Sequence, residues 1–143
     1  MIKNGFKILG LIFFFSYIFN FVWESWHAAF LYEKHNILAQ DYVLMMNYVS
    51  AMDSLAVLII YLMTAILWRD WLWLENIRRG QLLTAFVIGV ILAWLIEYFN
   101  VFVHHEWNYK QEMPLIFHVG VSPLIQLSVT SLMAFIFTRK IMK

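Results

Sequence analysis

Three carboxylates stand within runs that are otherwise apolar: Glu24, Asp53 and Glu97. A carboxyl group in a low-dielectric pocket can hold a proton at neutral pH and deliver it to a double bond or a leaving group. A second, ionised carboxyl can then stabilise the positive charge that results. Each acid has polar neighbours at helical spacing. The first set is Ser16, Asn20, Glu24 and His27; the second includes Asn47, Ser50, Asp53 and Thr64. In the third, Gly89 and Ala93 lead to Glu97, Asn100 and His104, and the fourth is His118, Ser122, Gln126 and Thr130. Intervals of three and four place each set on one face of a helix.

Cost separates the acids from the rest. An Asp near the centre of a bilayer costs about 2.5–3.5 kcal/mol on the insertion scale, whereas an interhelical hydrogen bond returns ~0.6 kcal/mol on average. Glu24, Asp53 and Glu97 are therefore the catalytic candidates. His27, Asn47, Asn100, His118 and Gln126 are candidates for binding and orienting a substrate. Ser16, Ser50, Thr64 and Thr130 are expected to act as hydrogen-bond glue between helices. His104 and His105 sit where solvated boundary histidines also would.

The elements that must carry these residues are membrane spans. Hydrophobic residues make up 63% of the 143-residue chain and charged ones 13%, against roughly 45–50% and about 25% in soluble domains. Residues 54–68, 82–96 and 119–138 contain no Asp, Glu, Lys or Arg. A span needs about 20 mostly apolar residues, and unpaired backbone groups are not tolerated in lipid, so each is expected to be a helix. The spacing predicts a single all-α domain, a four-transmembrane-helix bundle with spans at about 6–31, 43–68, 81–104 and 114–138. Pro123 removes a backbone donor, which predicts a kink beside Ser122 and Gln126; the alternative is a proline tolerated within the span. A shift of 73 residues pairs Glu24 with Glu97, His27 with Asn100 and Asp53 with Gln126. That pattern predicts two parallel helix-pair repeats.

Charge sets the orientation. Lys3, Lys7, Arg69, Arg78, Arg79, Arg139, Lys140 and Lys143 fall on one side of such a bundle, and only Lys34 and Lys110 on the other. The positive-inside rule puts both termini in the cytoplasm. Trp68, Trp71 and Trp73 then mark the inner boundary, and Trp26, Tyr32, Tyr42, Trp107 and Tyr109 the outer one. The stretch Trp71–Gly80 reads equally as a short interfacial helix or a charged turn. At 1.5 Å per residue, Glu24 and Glu97 lie roughly 9–10 Å below the outer boundary, with Asp53 and Gln126 about 15–18 Å down. The expected result is an outward-facing polar pocket, not a pore.

The same composition excludes other classes. The chain has no cysteine and a net charge of +1, so it offers no disulfide or thiolate chemistry and no basic stripe for nucleic acid. It carries no nucleotide, haem or nucleophile-elbow motif, and no cofactor is specified. Glu24-x-x-His27 resembles one Glu-x-x-His element of a di-iron bundle. Its counterpart is Glu97-x-x-Asn100, and Asn is a poor ligand, so no metal set is expected, although a single cation remains open.

The expected ligand is a membrane lipid or an apolar small molecule, with acid–base chemistry of an isomerase or cyclase type. A second use of the pocket is ion- or proton-coupled binding or transport, which four helices would need a homo-oligomer to support. A different class is a non-catalytic membrane subunit or assembly factor, whose polar stripes seal contacts with a membrane protein partner.

From Arg78 onward the chain resembles the lycopene cyclase domain of carotenoid-forming membrane proteins. The matching features are a basic start at Arg78 and Arg79, Glu97 late in a span, an aromatic loop with Trp107 and Tyr109, and a proline-led segment from Pro114 to Pro123-Leu124-Ile125-Gln126. The resemblance implies a small helical fold and proton-initiated cyclisation of an isoprenoid. In that family paired glutamates follow the proline; here Gln126 stands in that region, so the acid–base role carries over to Glu97 alone.

Overall fold

The computed structural model describes residues 2–33 and 37–143; Lys34 and the side chain of Lys3 lie outside that set. Four long helices form the bundle: α1 (Ile2–Phe30), α2 (Ala39–Trp68), α3 (Arg79–Tyr98) and α4 (Val121–Met142). A π-helical turn, Phe99–Val103, extends α3. Two short strands, β1 (Leu115–Ile116) and β2 (Val119–Gly120), precede α4. All four helices are long and apolar enough to cross a membrane, so the chain is an integral membrane protein built as a four-helix bundle. Helix α1 packs along both α2 and α4, and α3 packs along α4, while α2 and α3 share a shorter contact.

Small residues set the closest approach. A Cβ added at Gly89 would lie 2.5 Å from Ser128 Oγ and 2.9 Å from Ser128 Cα, so α3 and α4 meet where α3 has no side chain. The Ser128 hydroxyl uses this proximity and donates to the Phe86 carbonyl across the interface at 2.8 Å. The other hydroxyls behave differently from the expected glue. Ser16, Ser50, Thr64 and Thr130 each donate to the carbonyl four residues earlier on their own helix, the nearest acceptor available to a buried hydroxyl.

The end of the bundle that holds the termini is closed. Helix α2 stops at Arg69, which adopts a left-handed conformation (φ 52°). The Arg69 and Asp70 amides then satisfy the last carbonyls, those of Ile66 and Ala65. Residues 71–76 continue as turns, not as an interfacial helix. This sharp reversal drives Trp73 into the bundle. Expected at the membrane boundary, Trp73 is instead fully buried, 5.7 Å from the Tyr61 ring and 5.2 Å from Phe135. Tyr61 donates its hydroxyl to the Trp71 carbonyl at 2.5 Å. With Ile8, Ile12, Val57 and Ile60 these rings form a dry plug.

The opposite end departs from the expected fourth span. Helix α4 begins at Val121, not near residue 114, because residues 114–120 form a hairpin. Leu115 pairs with Gly120 and Ile116 with Val119, and Phe117 and His118 occupy positive φ at 51° and 65°, the demand of a two-residue primed turn. Pro123 consequently falls in the first turn of α4. The amides there have no intrahelical partner, so its missing donor costs no helical bond and the cause of the expected kink is absent. Under the 73-residue shift, the start of α2 falls on Glu112, well before α4 begins. The hairpin therefore stands where the first half has helix.

Truncating the plug should be costly. Trp73→Ala is expected to lose about 3–5 kcal/mol, the range for large aromatic deletions. Trp71→Ala, at an exposed ring, should stay within about 0.5 kcal/mol; denaturation in detergent micelles compares the two. Gly89→Ala should lose about 1–3 kcal/mol through overpacking. In the same assay Gly10→Ala, where nothing lies within 4 Å of the added methyl, should show no loss.

Candidate functional site

Gln126 is the centre of the polar cluster. From the first turns of α4 its Nε2 donates to Glu24 Oε1 on α1 at 2.6 Å, to Asp53 Oδ2 on α2 at 3.1 Å and to Asn20 Oδ1 at 3.3 Å. One amide nitrogen with two hydrogens thus serves three acceptors from two helices. The Glu24 and Asp53 carboxyls also lie within hydrogen-bond reach of each other, a pairing that needs one proton between them.

Glu97 is held from the loops. Tyr32 donates to its carboxyl oxygens at 3.3 and 3.4 Å, Trp107 Nε1 donates at 3.4 Å, and the Tyr109 hydroxyl completes the set. The backbone fixes these donors. Tyr32 and Tyr109 form an antiparallel bridge; Glu33 N–H donates to the Asn108 carbonyl, and Lys110 N–H to that of Leu31. The two-residue step from Trp107 to Tyr109 places both side chains on one side of an extended segment. The loops therefore act as a lid latched to Glu97. The π-turn begins just beyond Glu97 and carries Asn100, whose amide donates to the Ile96 carbonyl at 2.8 Å.

His27 lies one turn above Glu24 on α1 and is 2% exposed. Its Nε2 accepts from Trp23 Nε1 at 2.6 Å and lies 2.6 Å from Ser122 Oγ. Since an indole nitrogen can only donate, Nε2 bears the lone pair and Nδ1 the hydrogen. That Nδ1 is buried without a hydrogen-bond partner, 4.0 Å from Glu24 Oε1.

Two spaces flank α1. A cavity of about 400 Å³ lies between α1, α2 and α3 under the lid, lined by Glu24, Asp53, Glu97 and Asn100 and by methionines of α2. Its volume lies in the range of small-molecule sites, ~300–1,000 Å³. A recess of about 30 Å³ shares Glu24, Asp53 and Glu97 with it and is also lined by Gln126, room for about one water. Between α1 and α4 lies an apolar groove of about 460 Å³ with His27 and Ser122 among its lining. The groove is slightly larger, but the convergent acids belong to the cavity.

The structure thus brings together Glu24, Asp53, Glu97 and Gln126, with His27 and Asn100 beside them. Two expected members lie elsewhere. Asn47 accepts from Tyr17 and donates to the Val43 carbonyl on its own helix, outside the cavity lining. His118 is exposed at the hairpin tip and belongs to no helix face. Tyr32, Trp107 and Tyr109, read from sequence only as boundary aromatics, are the ligands of Glu97. Among the described residues no group of three or more His, Asp or Glu side chains is arranged to hold a metal ion. No family model, curated protein or solved structure matches the chain.

Burial, reinforced by the adjacent Glu97 carboxyl, pushes the Tyr32 and Tyr109 phenols above their ordinary value of 10.0. The folded chain then binds more protons than the unfolded one at alkaline pH, so stability should fall as pH rises above about 10. Ultraviolet titration should show Tyr32 and Tyr109 among the tyrosines that ionise late. In Glu97→Gln, Tyr109 should ionise earlier, because the charge opposing phenolate formation is gone.

Proposed function

We propose that this protein is an acid–base enzyme of the isomerase or cyclase type acting on an apolar lipid or isoprenoid, with its pocket facing away from the cytoplasm. The observation that carries the proposal is the convergence of three acids, Glu97 buried and Glu24 and Asp53 partly buried, on one water-sized recess beside a cavity that the same three acids line. The basic end, closed by the Trp73 plug, would face the cytoplasm.

The chemistry follows from two unlike settings. The proton shared by Glu24 and Asp53 passes to one carbon of a substrate double bond, leaving a cationic carbon at the other. Glu97, an acceptor for three donors, stays as a carboxylate and stabilises that cation. A proton then leaves a neighbouring carbon for the carboxylate that gave one up. The double bond has moved, the carboxyl pair is restored, and no electrons are exchanged with another reagent. Ring closure is the same sequence with a second double bond attacking the cation before the final proton loss. The lid excludes water, which would otherwise trap the cation. The lycopene cyclase resemblance agrees with this class of reaction at Glu97.

Membranes containing the protein, incubated in deuterium oxide, should place deuterium in a membrane isoprenoid or unsaturated lipid, read by mass spectrometry. Asp53→Asn and Glu97→Gln should each slow incorporation by about 10²–10⁴-fold, while Glu75→Gln at the plugged end leaves it unchanged. Exchange that proceeds equally in all the variants would sink the proposal.

A further inference from the structure

Charge distribution in the 400 Å³ cavity points to the ligand. Four acids line it, Glu24, Asp53, Glu97 and Glu106, and none of the described lining residues is Lys, Arg or His. Three rings, Tyr32, Tyr48 and Trp107, share the same walls. Carboxylates beside aromatic faces are the combination that holds an organic ammonium group, by ion pairing and by attraction to the ring quadrupole.

Two buried polar atoms lie beside the carboxyl centre. His27 Nδ1 is buried without a partner and aimed at Glu24 Oε1 across 4.0 Å, too long for a hydrogen bond. Asn20 Nδ2, on the same helix face, is likewise buried and unpartnered. An ammonium hydrogen reaching Asp53 and Glu24 would take the place of the proton they share.

We infer that the cavity binds a lipophilic organic cation. Its ammonium head lies among Glu24, Asp53 and Glu97, and its apolar tail runs along Met45, Val49 and Met52. The tail leaves between α2 and α3, which share less contact than the other neighbouring helices. This goes beyond the proposed function by fixing the charge of the ligand. Under that proposal a cationic amine would mimic the charged intermediate, but binding does not require catalysis.

The test uses the full chain in nanodiscs of zwitterionic phosphatidylcholine, with dodecyldimethylamine and dodecanol as probes of one chain length and different charge. Saturable quenching of tryptophan fluorescence and a rise in thermal stability are expected with the amine, and at least tenfold weaker binding with the alcohol. Glu97→Gln should weaken amine binding at least tenfold. Because that change also disturbs the lid, Glu106→Gln at the exposed rim provides a second variant, with at least threefold weakening and unaltered alcohol binding. Equal affinity for amine and alcohol, or amine affinity untouched by both variants, overturns the inference. So does loss of amine binding in Trp26→Ala with Glu106→Gln silent, since that places the amine in the α1–α4 groove. Deuterium incorporation reports on catalysis separately, so failure of either idea is recognisable on its own.

Discussion

A neutral amide among acids is the constraint on which the polar end of this bundle depends. Glu24 and Asp53 come from different helices into an interior with little water, where two carboxylates would repel and each would lack its hydration. Gln126 Nε2 donates to both, and one proton held between them would remove one charge. A lysine or arginine at that position would neutralise the acids permanently. An amide satisfies them without fixing their charge, and they stay available to gain or lose a proton. The close approach of α3 and α4 at Gly89 and Ser128 anchors the helix that delivers this amide.

Around that centre the bundle ends are built from the same residue types for opposite purposes. At one end Tyr61, Trp73 and Phe135 pack ring against ring with aliphatic side chains and close the interior. At the other, Tyr32, Trp107 and Tyr109 turn their polar atoms onto one carboxyl. The plug holds mainly through packing, with one hydrogen bond from Tyr61 to the Trp71 carbonyl, and Trp73 Nε1 has no hydrogen-bond partner. The lid rests on a few hydrogen bonds and one backbone bridge.

Much of this was legible in the sequence. Long, mostly apolar runs set the number of helices, and three-and-four spacing put Glu24, His27, Glu97 and Gln126 on inward faces. Convergence at Gln126 followed from the pattern because helix periodicity is rigid and polar residues in lipid turn inward. The misses share a cause: they lie where helix ceases. Phe117 and His118 take positive φ without the Asn or Gly that would signal such a turn, so a hairpin was read as the start of a span. Arg69 takes the left-handed position at the end of α2, again without glycine, and the reversal that buries Trp73 left no mark. Tyr32, Trp107 and Tyr109 were indistinguishable from an aromatic belt. Only the loop pairing, a contact distant in sequence, turns them toward Glu97.

The two carboxyl settings matter more together than separately. A proton donor must be able to hold a proton, and a charge stabiliser must be able to do without one. Identical acids serve both roles only when their surroundings differ. Here the difference lies in hydrogen-bond supply. The pair on α1 and α2 shares one amide and one another, so a proton is part of its bonding. Glu97 faces three donors and no acid as close as those two are to each other, so its oxygens are satisfied unprotonated. The 30 Å³ recess touches all three acids, and a reacting atom placed there would meet donor and stabiliser at once. Had the acids met in a single symmetric cluster they would have competed for the same donors. The lid gives Glu97 its own, and under the proposed chemistry that separation would let three acids in one apolar bundle divide the work.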